Sequence, residues 1–174
     1  VDSNPVSVVT AVIRSTSVVE FTRVVAAGSG TYQEAVGPSA CFQGGAFVNS
    51  ANPTLLGGTT IDPALPQDVS PSSSFNIGEA AFIRLVDSDQ NLDYLVIDTA
   101  VVTVTDLTSG DSETIQLSET GLNTGIFAGY VPLASGVATP GDCVLQGIPK
   151  STIRVSYSDP ADPADTAQAS ASLD

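Results

Sequence analysis

The stretch "IDTAVVTVTDLTSGDSETIQLSE", residues 97–119, decides the fold class of this chain. β-Branched residues dominate it, and apolar side chains recur at every second position, which is typical of a half-buried β-strand. The two halves, residues 97–106 and 112–119, are joined by "TSGD", whose glycine supplies the positive φ that a tight turn needs. The segment therefore predicts two neighbouring β-strands.

The same pattern continues on both sides of this segment. Short apolar runs with a period of two are separated by Gly- and Pro-containing turns, and no segment shows a sustained helical period. Strands of this length and spacing predict an all-β fold, an immunoglobulin-like antiparallel β-sandwich with an extra N-terminal strand segment. The further strands are predicted at residues 17–27, 79–86, 126–133, 152–158 and about 166–173.

Composition divides the chain into two parts. Residues 1–27 are predicted to form the N-terminal strand segment, and residues 28–174 the sandwich domain. Pro, Gly and Ser crowd the region of residues 28–74, so we expect a long loop-rich insertion with short strands there.

The most apolar run of the chain is "PVSVVTAVI", residues 5–13. Both faces of a strand with this sequence are apolar, so it needs cover on both sides. Two alternatives stay open: the strand pairs within its own sheet, or it leaves its domain and completes a neighbouring subunit as a donor strand. In the second case the inserted side chains are Val6, Val8 and Val12 on one face and Val9, Ala11 and Ile13 on the other.

Acidic residues greatly outnumber basic ones. The chain carries 19 Asp and Glu against five Lys and Arg, which gives a net charge of −14 at pH 7. This charge repels nucleic acid and anionic membrane surfaces, and it suits an exposed protein or one that recruits cations. The chain contains no histidine and no phosphate-binding Gly-rich loop with a lysine, so the usual catalytic triads and nucleotide sites are excluded. We therefore expect no enzymatic activity.

Cys41 and Cys143 are the only cysteines. An even pair in a chain with this composition predicts one disulfide, and the alternative is two buried free thiols. No CxxC or Cys/His grouping is present, which excludes the usual zinc sites. The sequence starts at Val1, as it would after removal of a secretory leader, so we expect an extracellular or cell-surface protein.

The stretch "DSDQNLDYLVID", residues 87–98, places oxygen-bearing side chains at alternate positions. This spacing is similar to that of a calcium-binding loop, in which alternate residues converge on one hard cation. An Asx-rich turn between strands is the alternative, because such side chains also cap backbone N–H groups. The predicted calcium ligands are Asp87, Asp89, Asn91, Asp93 and Asp98, to which Asp159, Asp162 and Asp165 add further carboxylates if the fold brings them close.

Three signatures, in this order, resemble a bacterial extracellular Ig-like repeat of secreted and surface proteins. They are "VDSDQNLD" at residues 86–93, "SGDSETIQLSETGLNTGIFAGYVPL" at 109–133 and "IRVSYSDPADPAD" at 153–165. The resemblance covers about residues 76–160, half of the chain. It implies a structural or adhesive role at the cell exterior.

These observations lead to one predicted function and one alternative. We expect a structural subunit of an extracellular filament, pilus or surface matrix, which assembles head to tail with copies of itself through the N-terminal donor strand. The alternative is a calcium-stabilised adhesin or surface-layer binding module. No cofactor other than calcium is expected.

Overall fold

Thirteen β-strands and no α-helix form the part of the chain that the computed structural model describes, residues 14–174. Within these residues there is no helix with the length and apolarity needed to cross a bilayer. The strands are β1 Val18–Val24, β2 Tyr32–Ala35, β3 Ala40–Gln43, β4 Ala46–Asn49, β5 Pro66–Pro71, β6 Ser74–Phe75, β7 Ala80–Val86, β8 Thr99–Asp106, β9 Ser112–Glu119, β10 Ile126–Ser135, β11 Leu145–Gly147, β12 Ser151–Ser158 and β13 Thr166–Leu173.

The strands pair in one long hydrogen-bonded order, β2-β5-β1-β7-β10-β9-β8-β12-β13-β6. β3 adds to β9 and carries β4, and β11 pairs with β10. All pairings are antiparallel except β10 with β11 and β13 with β6. The prediction of an all-β, mostly antiparallel protein is confirmed, and the immunoglobulin-like sandwich itself stays a prediction.

The two ends of this strand order meet. β5 pairs with β1, and β6 pairs with β13, although only Ser72 and Ser73 separate β5 from β6. The N–H of Ser72 donates to the carbonyl of Phe21 at 2.9 Å, while the carbonyl of Ser73 accepts from the N–H of Ser172 at 2.9 Å. The chain thus crosses from one end of the sheet to the other, and the sheet curls around its main hydrophobic cluster, while a second, smaller cluster includes Phe82 and Tyr130.

The predicted strand pair at residues 97–119 is confirmed as the antiparallel pair β8 and β9. Val102 lies opposite Ile115, and both side chains are buried. The turn depends on Gly110, whose φ of +78° suits glycine. The other strands predicted between residues 79 and 173 are also confirmed, with ends that differ by at most two residues.

The core joins side chains from both ends of the strand order. Phe21 of β1 packs edge-on against Phe75 of β6, with ring centroids 5.7 Å apart. Phe127, Leu85 and Ile153, from three other strands, are fully buried in the same cluster. Because these side chains come from sequence-distant strands, burial of apolar surface holds the curled sheet closed.

The region of residues 28–74 is more regular than the predicted loop-rich insertion, because it supplies five of the strands, β2 to β6. The predicted disulfide is confirmed: Cys41 on β3 is bonded to Cys143 in the loop before β11, with Cα atoms 5.5 Å apart. The predicted donor-strand residues lie outside the described residues; they are Val6, Val8, Val9, Ala11, Val12 and Ile13.

Candidate metal centre

Three chain segments meet at one end of the sheet. The first is the loop after β7, which opens with a short 3-10 turn at Ser88–Gln90. The second is the loop between β12 and β13, residues 159–165, and the third is the chain entering β1, residues 14–17. Val18 pairs with Val86, so the start of β1 necessarily lies beside the end of β7.

Three carboxylates come together where these loops meet. Asp87, Asp159 and Asp165 each place one oxygen within 4.8 Å of the other two. Asp87 is fully buried and Asp159 is 1% exposed, while Asp165 is half-buried. None of the ion pairs found in residues 14–174 includes any of the three. Like charges are therefore concentrated in a buried place without a side-chain cation to balance them.

Asp87 is held by hydroxyl groups. The Tyr157 hydroxyl donates to Oδ2 of Asp87 at 2.7 Å. The hydroxyl of Ser15 lies 3.0 Å from Oδ1 of Asp87 and 3.0 Å from Oδ1 of Asp89, and it accepts the N–H of Ser88 at 3.0 Å. Ser15 thereby connects the chain entering β1 to the loop after β7.

Asp159 and Asp165 are held from different sides. Oδ1 of Asp159 accepts the Gln90 side-chain amide at 2.8 Å and the N–H of Ala161 at 2.7 Å. Oδ2 of Asp159 is buried and accepts no hydrogen bond from residues 14–174. The carboxylate of Asp165 accepts the N–H of Ser17 at 2.7 Å and its hydroxyl at 3.0 Å.

The pKa values of Asp87, Asp89 and Tyr157 depart from those of the free side chains. Burial, and after it the hydrogen bond with Asp89, raises the pKa of Asp87 to about 6, although the hydrogen bonds from Tyr157 and Ser15 act in the opposite direction. The pKa of Asp89 is lowered, chiefly by the same hydrogen bond with Asp87. Burial also raises the pKa of the Tyr157 hydroxyl, so Tyr157 stays protonated and donates to Asp87. Negative charge at Asp87 is therefore costly unless a cation offsets it.

The predicted calcium-loop residues divide into two groups. Asp87 and Asp89 lie at the cluster through Ser15. Asn91 instead donates its amide to Oδ1 of Asn123 at 2.7 Å.

The last two predicted ligands serve the loop backbone. Oδ2 of Asp98 accepts the N–H groups of Leu92 and Asp93 at 2.7 and 2.9 Å. Oδ1 of Asp93 accepts the N–H of Leu95 at 3.0 Å. These contacts are those of the Asx-rich turn that the sequence offered as the alternative.

Of the three aspartates between β12 and β13 that the sequence suggested as additional ligands, two belong to the cluster and one does not. Asp159 and Asp165, suggested as additional ligands, do reach Asp87. Asp162 pairs instead with Arg14, with Nη1 and Oδ2 2.5 Å apart.

Sequence reasoning missed the hydroxyl and amide groups that position the carboxylates, namely Tyr157, Ser15, Ser17 and Gln90. One signal was present, because Tyr157 and Asp159 are two residues apart at the end of a strand and so point to the same side. Ser15 and Ser17 gave no such signal, since serines are frequent throughout this chain.

The segment "ETGLNTG", residues 119–125, contacts the backbone of the loop that carries Asp87. Oε1 of Glu119 accepts the N–H groups of Thr124 and Gly125 at 2.6 and 2.8 Å. The carbonyl of Gly125 in turn accepts the N–H of Asp87 at 2.9 Å. A Cβ on Gly125 would lie 2.9 Å from Cα of Ser88, so only glycine lets the two loops approach this closely.

Comparison with known proteins adds no relative. No model of a known protein family matches the chain, and no curated protein sequence matches it either. The resemblance to an extracellular Ig-like repeat thus stays a prediction based on its three signatures. In the described residues, those signatures contribute Asp87, Glu119, Tyr157 and Asp159 to one end of the sheet.

Proposed function

We propose that this protein is a structural subunit of an extracellular filament, pilus or surface matrix, and that it is not an enzyme. Each subunit inserts residues 5–13 along a free strand edge of its neighbour, and the contact repeats head to tail. Because the donor and acceptor surfaces differ, such a contact does not close on itself and produces a polymer. The Cys41–Cys143 disulfide is typical of proteins in an oxidising compartment, which agrees with an extracellular location.

The observation that carries this proposal is the outer edge of β4. Among the described residues β4 pairs only with β3, so its other edge has backbone groups open to an added strand. All four of its residues are exposed, including Phe47 and Val48. Beside it runs a groove lined by Val48, Ala51, Pro132 and Val144 among others. An apolar strand edge next to an apolar groove fits the two-faced sequence of residues 5–13.

The edge of β2, at one end of the strand order, fits less well. Among the described residues β2 pairs only with β5, so its other edge is also open. Its side chains, however, are mostly polar, and two of them contact Arg84. The carboxylate of Glu34 accepts the Arg84 Nε–H at 3.0 Å, and the Arg84 guanidinium stacks on the ring of Tyr32 at 4.0 Å. These contacts satisfy the charged groups internally and leave little apolar surface for an incoming strand.

The test uses one donor and one acceptor variant of the full chain. Val8→Asp places a charge on the inserted strand, and Val48→Asp places one on the β4 edge. Each variant alone should stay monomeric in analytical ultracentrifugation, while a mixture should form a 1:1 complex that does not grow. Wild-type protein should form filaments visible by negative-stain electron microscopy.

Two controls match these variants. Ser3→Asp adds the same charge outside the apolar run, and Val101→Asp adds it at an exposed valine of β8, whose two edges are both paired. Both controls should polymerise like the wild type. A wild-type protein that stays monomeric at high concentration, or a Val8→Asp variant that still polymerises, would contradict the proposal.

The second candidate, a calcium-stabilised adhesin or surface-layer module, is favoured by the Asp87, Asp159 and Asp165 cluster. In that case the protein works as a monomer or as one module of a larger array. The same ultracentrifugation experiment separates the candidates, because this one expects a wild-type monomer whose stability rises with calcium.

A further inference from the structure

The three-carboxylate cluster at the end of the sheet points to a ligand that the fold alone does not require. A buried carboxylate is normally neutralised, paired with a cation or fully hydrogen-bonded. Within residues 14–174 no basic side chain pairs with Asp159, and its Oδ2 is buried without a hydrogen-bond donor. The same carboxylate lies against Asp87 and Asp165, which bring two further charges.

We propose that Asp87, Asp159 and Asp165 bind one Ca²⁺ ion, with Oδ2 of Asp159 as a ligand. The ion would relieve the repulsion among the three carboxylates. It would also coordinate Oδ2 of Asp159, which accepts no hydrogen bond from the described residues. This ligand set differs from the loop of alternating residues suggested by the sequence, because it joins two loops that are about 70 residues apart in the chain.

The ligand set favours calcium over magnesium. Mg²⁺ dehydrates reluctantly and is usually held by one or two carboxylates together with several waters, whereas Ca²⁺ accepts more protein oxygens in a flexible geometry. Here three carboxylates each place an oxygen within 4.8 Å of the other two, close enough to share one ion. The cluster contains no nitrogen or sulfur ligand, which argues against zinc and copper.

The site also has a route for an ion and a connection to the start of β1. Asp165 is half-buried, so the cluster is reachable from solvent. Ser17 binds Asp165 and Ser15 binds Asp87, and both serines belong to the segment that leads into β1. An ion that orders Asp87 and Asp165 therefore also orders the chain at residues 14–17.

Calcium binding is tested by thermal unfolding of the full chain after treatment with a chelator. Adding Ca²⁺ at about 100 times its dissociation constant should raise Tm by about 5–10 °C, and Mg²⁺ should raise it less. Terbium(III), which occupies oxygen-rich calcium sites, should luminesce when tyrosine is excited, since Tyr157 touches Asp87. Tyr157→Phe should lose most of that luminescence, because it removes the phenol hydroxyl that contacts Asp87.

The decisive variant is Asp159→Asn. Its amide oxygen can still accept from Gln90 and Ala161, while one buried charge disappears. Without calcium its Tm should equal or exceed that of the wild type, and with calcium the increase should vanish. A residue that only supports the loops would give the opposite sign without calcium. If this variant fails to fold, the terbium titration of wild type and Tyr157→Phe decides the question.

Asp93→Asn is the matched control, since Asp93 lies in the same loop but only caps a backbone N–H group. It should keep the full Tm increase. A Tm increase that survives in Asp159→Asn but is lost in Asp93→Asn would overturn the proposal in favour of the loop-only site. So would the absence of any increase at about 10 mM Ca²⁺, above the dissociation constants of weak extracellular calcium modules at about 10⁻³ M.

Trypsin provides a readout at the chain entering β1. Ca²⁺ should slow cleavage after Arg14 severalfold in the wild type and not in Asp165→Asn, which weakens the contact to Ser17. Equal cleavage rates with and without Ca²⁺ would contradict the proposed ordering of residues 14–17. The proposal is independent of polymer formation: loss of the calcium effect with filaments intact would leave the proposed function standing, and the reverse also holds.

Discussion

Removing the disulfide should destabilise this protein by an amount that its loop length sets. The bond joins residues 102 positions apart. In the chain-entropy description, opening a loop of this size costs about 4.7 kcal/mol of the free energy of unfolding at 25 °C. That is a large fraction of the roughly 5–15 kcal/mol total of a typical domain.

The native structure should change little when the disulfide is removed, because Glu113 holds the same loop independently. Its Oε1 accepts the N–H of Gly141 at 2.9 Å, and its Oε2 accepts the N–H of Cys143 at 2.9 Å. The loss in Cys41→Ala/Cys143→Ala should therefore arise mainly in the unfolded chain. Since an uncrosslinked chain exposes more surface on unfolding, the urea m-value should rise as well.

Backbone geometry at position 143 adds a finer test. Cys143 has a φ of +76°, a left-handed conformation that costs a residue with a Cβ about 1–2 kcal/mol. Cys41→Ala/Cys143→Gly should therefore be more stable than Cys41→Ala/Cys143→Ala, by about 1 kcal/mol once the greater freedom of glycine in the unfolded chain is included. Urea unfolding followed by circular dichroism measures all three proteins.

Two results would refute this reasoning. The first is a loss of less than about 1 kcal/mol in both double variants, which would mean that the disulfide does not restrict the unfolded chain as the loop length requires. The second is a glycine variant no more stable than the alanine variant, which would mean that the loop relaxes out of its positive φ once the bond is gone.

The remaining predictions concern two buried glutamates. Burial raises the pKa of Glu113 above its ordinary 4.5, so its contribution to stability is full below that pH and is lost as pH rises through the raised pKa. The wild-type advantage over Glu113→Gln should accordingly shrink above pH 4.5 in urea titrations, and a constant difference would contradict this. Glu119→Ala, which leaves the N–H of Gly125 without its acceptor, should cost about 2–3 kcal/mol. The matched Glu119→Gln keeps an acceptor oxygen and should cost less than half as much in the same assay.

The strands could be predicted where their period of two was long. β8, β9, β12 and β13 each have eight residues with one face toward the core, and all of them were predicted from the alternation. β3 and β4 have four residues each and lie among Gly and Pro, so no period can develop there. Their position depends on pairing with β9 and on the disulfide, both of which are contacts between distant parts of the chain.

The candidate site could be predicted only in part, for a related reason. The spacing of Asp87 and Asp89 indicated a cation-binding loop, and the local turn contacts of Asp93 and Asp98 were the stated alternative. That Asp159 and Asp165 complete the cluster depends on which strand ends lie together. This follows from the sheet order, and a single sequence does not reveal it.

The first and last described residues, 14 and 174, lie at opposite ends of the curled sheet; the end that holds Asp87, Asp159 and Asp165 is called the acidic pole here. β1 and β13 run in the same direction, so residue 14 lies at the acidic pole and residue 174 at the far one. A pull on these two residues therefore acts along the strands, and the ladders of β1 with β7 and of β13 with β12 must give way all at once instead of one bond at a time.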